Sequence, residues 1–244
     1  MRDRVRMLKE NMLDARPNLS AEWVVLAKDA YIKYSGEAPA LFRAHVFAYV
    51  LDHMDLSIFP GELVIGSQAK KQRGVSFHPE YMRAEWLLEN LDNIQTRTTD
   101  PFELDAENRA LLEENLPWWF GKSSEHNIEA ILPDDVQQAR RLGMIIVGNR
   151  TMPSSGTMPN HARLMKEGLS GYIDRCRQKI SETAGVTKEE REKLDFWNAC
   201  IIECEAIIRY AHRYADLAEQ MAAATDDEKR RGELLTIAAN CRVV

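Results

Sequence analysis

The residues best placed to do chemistry lie in one loop, "GNRTMPSSGTMPNHA", which holds two Gly and two Pro between Gly148 and Ala162. Loops of this length that keep an ordered fold tend to carry function. The loop feeds the start of a helix, where free amides and the positive end of the helix dipole suit an anionic group. Gly156, Thr157, Asn160 and His161 are polar or permissive residues at that junction. Thr157, Asn160 and His161 are the candidate substrate-binding residues. The competing reading is a segment that only caps the helix.

Other combinations offer less. "EHNIE" supplies Glu125, His126 and Glu129 for acid–base work, on what reads as a loop. "DHMD", Asp52 to Asp55, sets a His between carboxylates, but on a helix those positions do not converge on one ion. Solvated charges at a helix end explain it better. "CIIEC" puts Cys200 and Cys204 one helical turn apart, and no nearby His or Cys pair completes a zinc site. Buried small apolar side chains are the simpler reading. "FGKSS" at 120 to 124 looks like the end of a phosphate-binding loop. That loop requires a Gly where Leu116 stands, and a preceding strand. "PWWF", Pro117 to Phe120, reads as an aromatic anchor for a loop rather than a stacking platform. No catalytic triad, metal-ligand motif or dinucleotide motif is visible, so no catalytic and no metal-binding residue is assigned.

The bulk properties narrow the setting. A chain of 244 residues is long enough for a sizeable core. Its formal charge of −6 argues against nucleic acid and anionic membrane as partners. No apolar run reaches the length of a membrane span, and the charged N-terminus MRDRVRMLKE lacks a signal-peptide core. Four cysteines without CxxC spacing fit free thiols in a reducing cytoplasm.

The elements that must position these groups read as mainly α. Helices are expected over residues 2–14, from a Ser20 cap to Tyr34, from Pro39 to about Met54 and from Pro79 to about Leu91. Further helices run from the Asp105 cap to Leu116 and from Pro133 to Val147. Three more run from about Pro159 to Glu182, from the Thr187 cap to about Ala224, and from an Asp226 or Asp227 cap to the chain end. The exception is "GELVIGSQAKKQRG", residues 61–74, where Leu63-Val64-Ile65 reads as a short strand with no partner close in sequence. At the other extreme, "GELLTIAANCRVV" keeps its apolar spacing to Val244 with no stop signal, which suggests an element cut short.

Five stretches in one order carry a resemblance. "EAPALFRAHVFAYVLDHM", "PGELVIGSQAKKQRG" with "HPEY" and "RAEWLLENLD", "TRTTDPFELDAENRALLEENLPWWFGKS", "MPNHARLMKEGLSGYIDRC" and "YAHRYADLAEQMAAATDDEKRRGELLTIAANCRVV" together span nearly the whole chain. In this order they resemble the N-terminal region of glycyl radical enzymes of the pyruvate formate-lyase and glycerol dehydratase type.

The resemblance implies a fold and a chemistry. The helices would pack around a ten-stranded α/β barrel enclosing a catalytic Cys and a radical-bearing Gly, and the lone strand would find its partners there. Residues 1–244 would be the N-terminal part of a pyruvate formate-lyase-like domain, without the Cys loop and without the glycyl radical domain. The implied enzyme is an anaerobic, cytoplasmic lyase. A separate iron–sulfur, S-adenosylmethionine-dependent activase installs the glycyl radical, which passes to the Cys as a thiyl. The thiyl abstracts a substrate hydrogen, and a C–C, C–O, C–N or C–S bond then breaks.

None of the contexts "DRCRQ", "NACII", "IECEA" and "ANCRV" matches the family's thiyl loop, and the radical-Gly motif is absent. The chain alone is therefore expected to be inactive and to bind no cofactor of its own. Its implied partners are the remainder of the enzyme, the activating enzyme, a small-molecule substrate and a second copy in a homodimer. Aligning by Pro159 puts Gly156 where several diol-dehydrating members carry a His and puts His161 at a Tyr position, which argues against a glycerol or propanediol substrate. The alternative function is a stand-alone helical scaffold of the same descent that binds a full-length lyase or its activase.

Overall fold

The computed structural model of the chain describes residues 2–146 and 160–244. It is mainly helical. The helices are α1 (Arg2–Asp14), α2 (Glu22–Lys33), α3 (Pro39–His53), α4 (Ala84–Asn90), α5 (Ala106–Asn115), α6 (Ser124–Ile131), α7 (Asp134–Arg141), α8 (His161–Ser181), α9 (Lys188–Ala224) and α10 (Glu228–Arg242). A 3-10 turn over Leu116–Trp119 follows α5. Two three-residue strands, β1 (Asn18–Ser20) and β2 (Gly74–Ser76), pair in parallel with Leu19 opposite Val75.

Contacts divide the chain into two compact units. One comprises Met1–Ala15, Asp29–Arg73 and Asn160–Val244; the other comprises Arg16–Lys28 and Gly74–Pro159.

The first unit is built on α9, 37 residues long. Its start is set by Thr187, the expected cap, in a capping box. The Thr187 hydroxyl accepts from the Glu190 amide while the Glu190 carboxylate accepts from the Thr187 amide, which satisfies two end groups at once. Ala215, Ala218 and Ala222 are buried one turn apart on α9, and small side chains there let neighbouring helices approach closely. They join Tyr214, Ile58 and the α10 residues Leu234, Ile237 and Ala238 in one apolar cluster. Helix α3 presents Ala44, Val46, Ala48 and Val50. Its last carbonyls are met by Arg213 of α9, which donates to Leu51 O and, at 2.8 Å, to Met54 O.

The stretch expected as a strand is not one. Residues 63–65 make no ladder among the described residues, and Leu63 and Val64 are exposed. Side chains hold the segment instead. Arg230 donates to Glu62 O at 2.8 Å and to Phe59 O at 3.4 Å, and the Tyr214 hydroxyl accepts from the Ser67 amide at 3.3 Å. Ile65 packs on the apolar cluster. Local pattern signalled extension; pairing requires a partner backbone, and none reaches these residues. The extended element begins later, at Gly74, where β2 pairs β1 within the other unit.

In that second unit Trp119, Leu112, Leu116, Leu87, Leu91 and Val24 are buried. The Trp119 indole N–H donates to Val24 O at 3.2 Å, so Trp119 is the anchor of the aromatic run, while Phe120 is exposed. Asp105 caps α5 as expected, accepting from the Asn108 amide at 2.8 Å.

Three helices depart from their expected bounds. Ser20, expected as a cap, belongs to β1, and α2 starts at Glu22, whose amide donates to the Ser20 hydroxyl at 3.3 Å. Residues 78–82 form a turn, with Tyr81 and Met82 amides on His78 O, so α4 starts at Ala84 rather than at Pro79. The His78 and Glu80 side chains are engaged with Trp23, whose indole N–H donates to Glu80 at 3.0 Å. Helix α7 ends at Arg141, short of Val147. Gly143 adopts φ +70°, its amide returns to Arg140 O at 2.9 Å, and the Met144 amide returns to Ala139 O at 2.9 Å. This paired closure satisfies the last carbonyls and ends the helix.

Candidate functional site

Of the loop residues singled out in the sequence, Gly156 and Thr157 lie outside the described residues. Asn160 and His161 open α8. The Asn160 side chain accepts from the Arg163 amide at 3.1 Å, so it caps the helix. His161 is exposed at the first helical position. The structure puts these two side by side at the start of α8. Helix α8 itself is bent at Gly168, where φ is 64° and ψ is −179°, a conformation that belongs to glycine.

"EHNIE" is helical, not a loop: it forms α6, capped by Ser123, whose hydroxyl accepts from the His126 amide at 3.3 Å. Here the fold assembles a Ser–His–Glu chain that the sequence did not show. His126 Nδ1 lies 2.7 Å from Ser123 Oγ, and its Nε2 lies 3.2 Å from Glu85 Oε1. Nucleophilic catalysis needs an accessible hydroxyl. Ser123 is fully buried and occupied as a helix cap, so the group ties α6 to α4 instead of attacking a substrate. Lys122, the lysine of "FGKSS", lies 3.7 Å over the Trp118 ring and donates to Trp118 O, so it forms no phosphate loop.

"DHMD" also resolves into structural contacts. Asp52 takes two hydrogen bonds from Arg209 of α9, Asp55 pairs with Lys70 at 2.9 Å, and His53 Nδ1 lies 2.7 Å from Tyr49 O. Among the described residues, no group of three His, Cys, Asp or Glu is arranged to hold a metal.

The cysteines hold one surprise. Cys176 of α8 comes beside Cys200 and Cys204 of α9, a third thiol that linear spacing could not reveal. Burial pushes the Cys200 thiol up to about 11, reinforced by Cys176, and raises Cys204 as well. These are neutral thiols at physiological pH and poor nucleophiles. All four cysteines sit on helices, and Cys200 and Cys204, expected as buried side chains, are only half-buried, whereas Cys176 is buried.

Sequence reasoning missed a polar cleft of about 500 Å³ in the second unit. Arg83, Arg140, Arg141, Ile145 and Ile146 line it around Glu129. The Arg140-Arg141 pair was the available signal, but Arg83 is 57 residues away from Arg140 and only folding brings it in.

With this geometry in place, comparison with known proteins decides the family. The pyruvate formate lyase-like family model matches residues 1–244. This chain belongs to that family of glycyl radical enzymes. It is 28% identical over 247 residues to (2S)-3-sulfopropanediol dehydratase of Klebsiella oxytoca, covering 99% of this chain and 30% of that protein. It is 28% identical over 245 residues to isethionate sulfite-lyase of Oleidesulfovibrio alaskensis, covering 95% and 29%. The solved glycerol-bound form of the B12-independent glycerol dehydratase from Clostridium butyricum superposes with a TM-score of 0.93 at 27% identity, over 98% of this chain and 30% of that one. The pyruvate formate lyase-like chain thus spans about 30% of the length of these relatives. As the relatives are lyases by name, the family is enzymatic. None of the described helices is long and apolar enough to cross a membrane.

Proposed function

We propose that this chain is the N-terminal part of a glycyl radical lyase and that its helices form an outer layer around a barrel supplied by the remainder of the enzyme. The match of almost the entire chain to about 30% of its relatives, with a TM-score of 0.93 to one of them, carries this reading. The complete enzyme would cleave a C–C, C–O, C–N or C–S bond of a small molecule after activation by an S-adenosylmethionine iron–sulfur activase.

The residues present do not fit the radical centre. The four cysteines are helical, Cys176 is buried, and the other three have thiols pushed up by burial; none stands on a loop. No step of the reaction is therefore assigned to this chain's side chains, and the chain alone is inactive. Its contribution would be architectural, with substrate contacts from Thr157, Asn160 and His161. The exposure of Asn160 and His161 at the start of α8 supports the contacts of those two residues.

The test joins the chain to the remaining segment of the enzyme, in one polypeptide or by mixing, and treats it anaerobically with the activase. A glycyl radical doublet by electron paramagnetic resonance, with turnover, is expected only when the remainder is present. A radical on the 244-residue chain by itself would overturn the assignment. In the joined enzyme, His161→Ala should raise KM several-fold; unchanged kinetics would remove the substrate contact.

A further inference from the structure

We propose that the arginine-lined cleft of the second unit is a binding site for a small organic oxyanion, a sulfonate, carboxylate or phosphate carrying a short apolar tail. The argument is independent of where the radical chemistry takes place.

It begins with charge. Three arginines and one glutamate line the cleft, leaving a formal charge of +2 in a chain whose total is −6. An excess of one sign within a concave wall focuses potential and concentrates the opposite ion.

Preorganisation comes next. Glu129 of α6 divides its carboxylate between two guanidiniums: Oε2 accepts from Arg83 Nη1 and Oε1 from Arg140 Nη2, each at 3.2 Å. One carboxylate cannot saturate two five-donor forks, so N–H groups remain for a further acceptor. Gln137 secures the corner, donating to Leu132 O at 2.9 Å and to Glu129 O at 3.3 Å. Arg141 is the third cation. The one contact recorded for it among the described residues is a long 3.4 Å donation to Gln137 O. The site therefore has two held arginines and one that can close on a ligand. Arginine forks match planar or tetrahedral oxyanions through paired N–H···O bonds.

The apolar end follows from the helix stop. The closure at Gly143 turns the chain away from α7 and brings Ile145 and Ile146 to line the same cleft, with Ile146 95% exposed. A large apolar side chain left in water beside a cationic wall suits an amphiphilic anion better than an inorganic one.

The experiment is calorimetric titration of the full chain with methanesulfonate and with n-butanesulfonate at fixed ionic strength. Saturable binding of both is expected, with butanesulfonate at least about threefold tighter. Arg141→Ala should weaken both at least about fivefold without altering the circular dichroism spectrum or the melting temperature. Ile146→Ser should erase the difference between the two ligands. Non-saturable heats, or affinities that Arg141→Ala leaves unchanged, would overturn the site. Equal affinities of the two sulfonates for the unaltered chain would overturn its apolar half. Inorganic phosphate, run in parallel, should bind more weakly than butanesulfonate; a stronger phosphate isotherm would likewise overturn the organic-anion assignment.

Discussion

Arg209 of α9 grips Asp52 of α3 with two nearly equal hydrogen bonds, Nε to Oδ1 at 3.0 Å and Nη2 to Oδ2 at 2.9 Å. The partners are 157 residues apart in sequence, and the fork geometry fixes the helices in register as well as in proximity. Both side chains are partly exposed, so water and salt screen the pair. Asp52→Asn or Arg209→Ala should each lower unfolding free energy by about 1 kcal/mol. A double-mutant cycle by urea denaturation should return a coupling of roughly 0.5–1 kcal/mol that shrinks in 1 M salt. A coupling indistinguishable from zero at low salt would show the fork to be incidental.

Trp119 gives the second prediction. Its ring is fully buried and its N–H satisfies Val24 O. Trp119→Phe keeps much of the apolar contact but loses the indole hydrogen bond to a carbonyl that sits within the α2 ladder, at a cost of about 0.5–1.5 kcal/mol. Trp119→Ala adds a cavity and should cost about 3–5 kcal/mol. Thermal melts of the two variants should fall in that order. If Phe were as stable as Trp, the indole bond would contribute nothing.

The thiol cluster supplies the third, and its pH dependence has a definite sign. Burial raises the folded-state Cys200 thiol to about 11, whereas an unfolded cysteine titrates near 8.5. Between these values the unfolded chain has lost a proton that the folded chain keeps. Folding therefore loses stability as pH rises through that window, and gains nothing from this group below it. Replacing Cys200 by Ala should flatten the decline between about pH 8.5 and 11. Alkylation by iodoacetamide at pH 8 should be more than tenfold slower for Cys200 in the native chain than in urea. Fast native labelling would contradict the half-buried, neutral thiol.

The sequence by itself determined the helices that announce their own ends. Thr187 with Glu190, Asp105 and Asp227 are local signals, because a cap satisfies amides within three residues of itself, and Pro39 is another, because its missing N–H costs nothing in the first turn; each begins a helix where expected. The family was also legible, since five ordered stretches outlast the drift of any single residue. Tertiary structure decided what depends on distant partners. Leu63-Val64-Ile65 has strand-like residues but pairs with no backbone among the described residues, while the unremarkable Asn18–Ser20 and Gly74–Ser76 pair because the fold brings them together. The same holds for Cys176 beside Cys200, for Glu85 behind His126 and for Arg83 beside Arg140. Capping is a short-range exchange of hydrogen bonds and is written in neighbouring residues; pairing, thiol burial and a shared carboxylate depend on positions in space, which arise only when the chain has closed on itself.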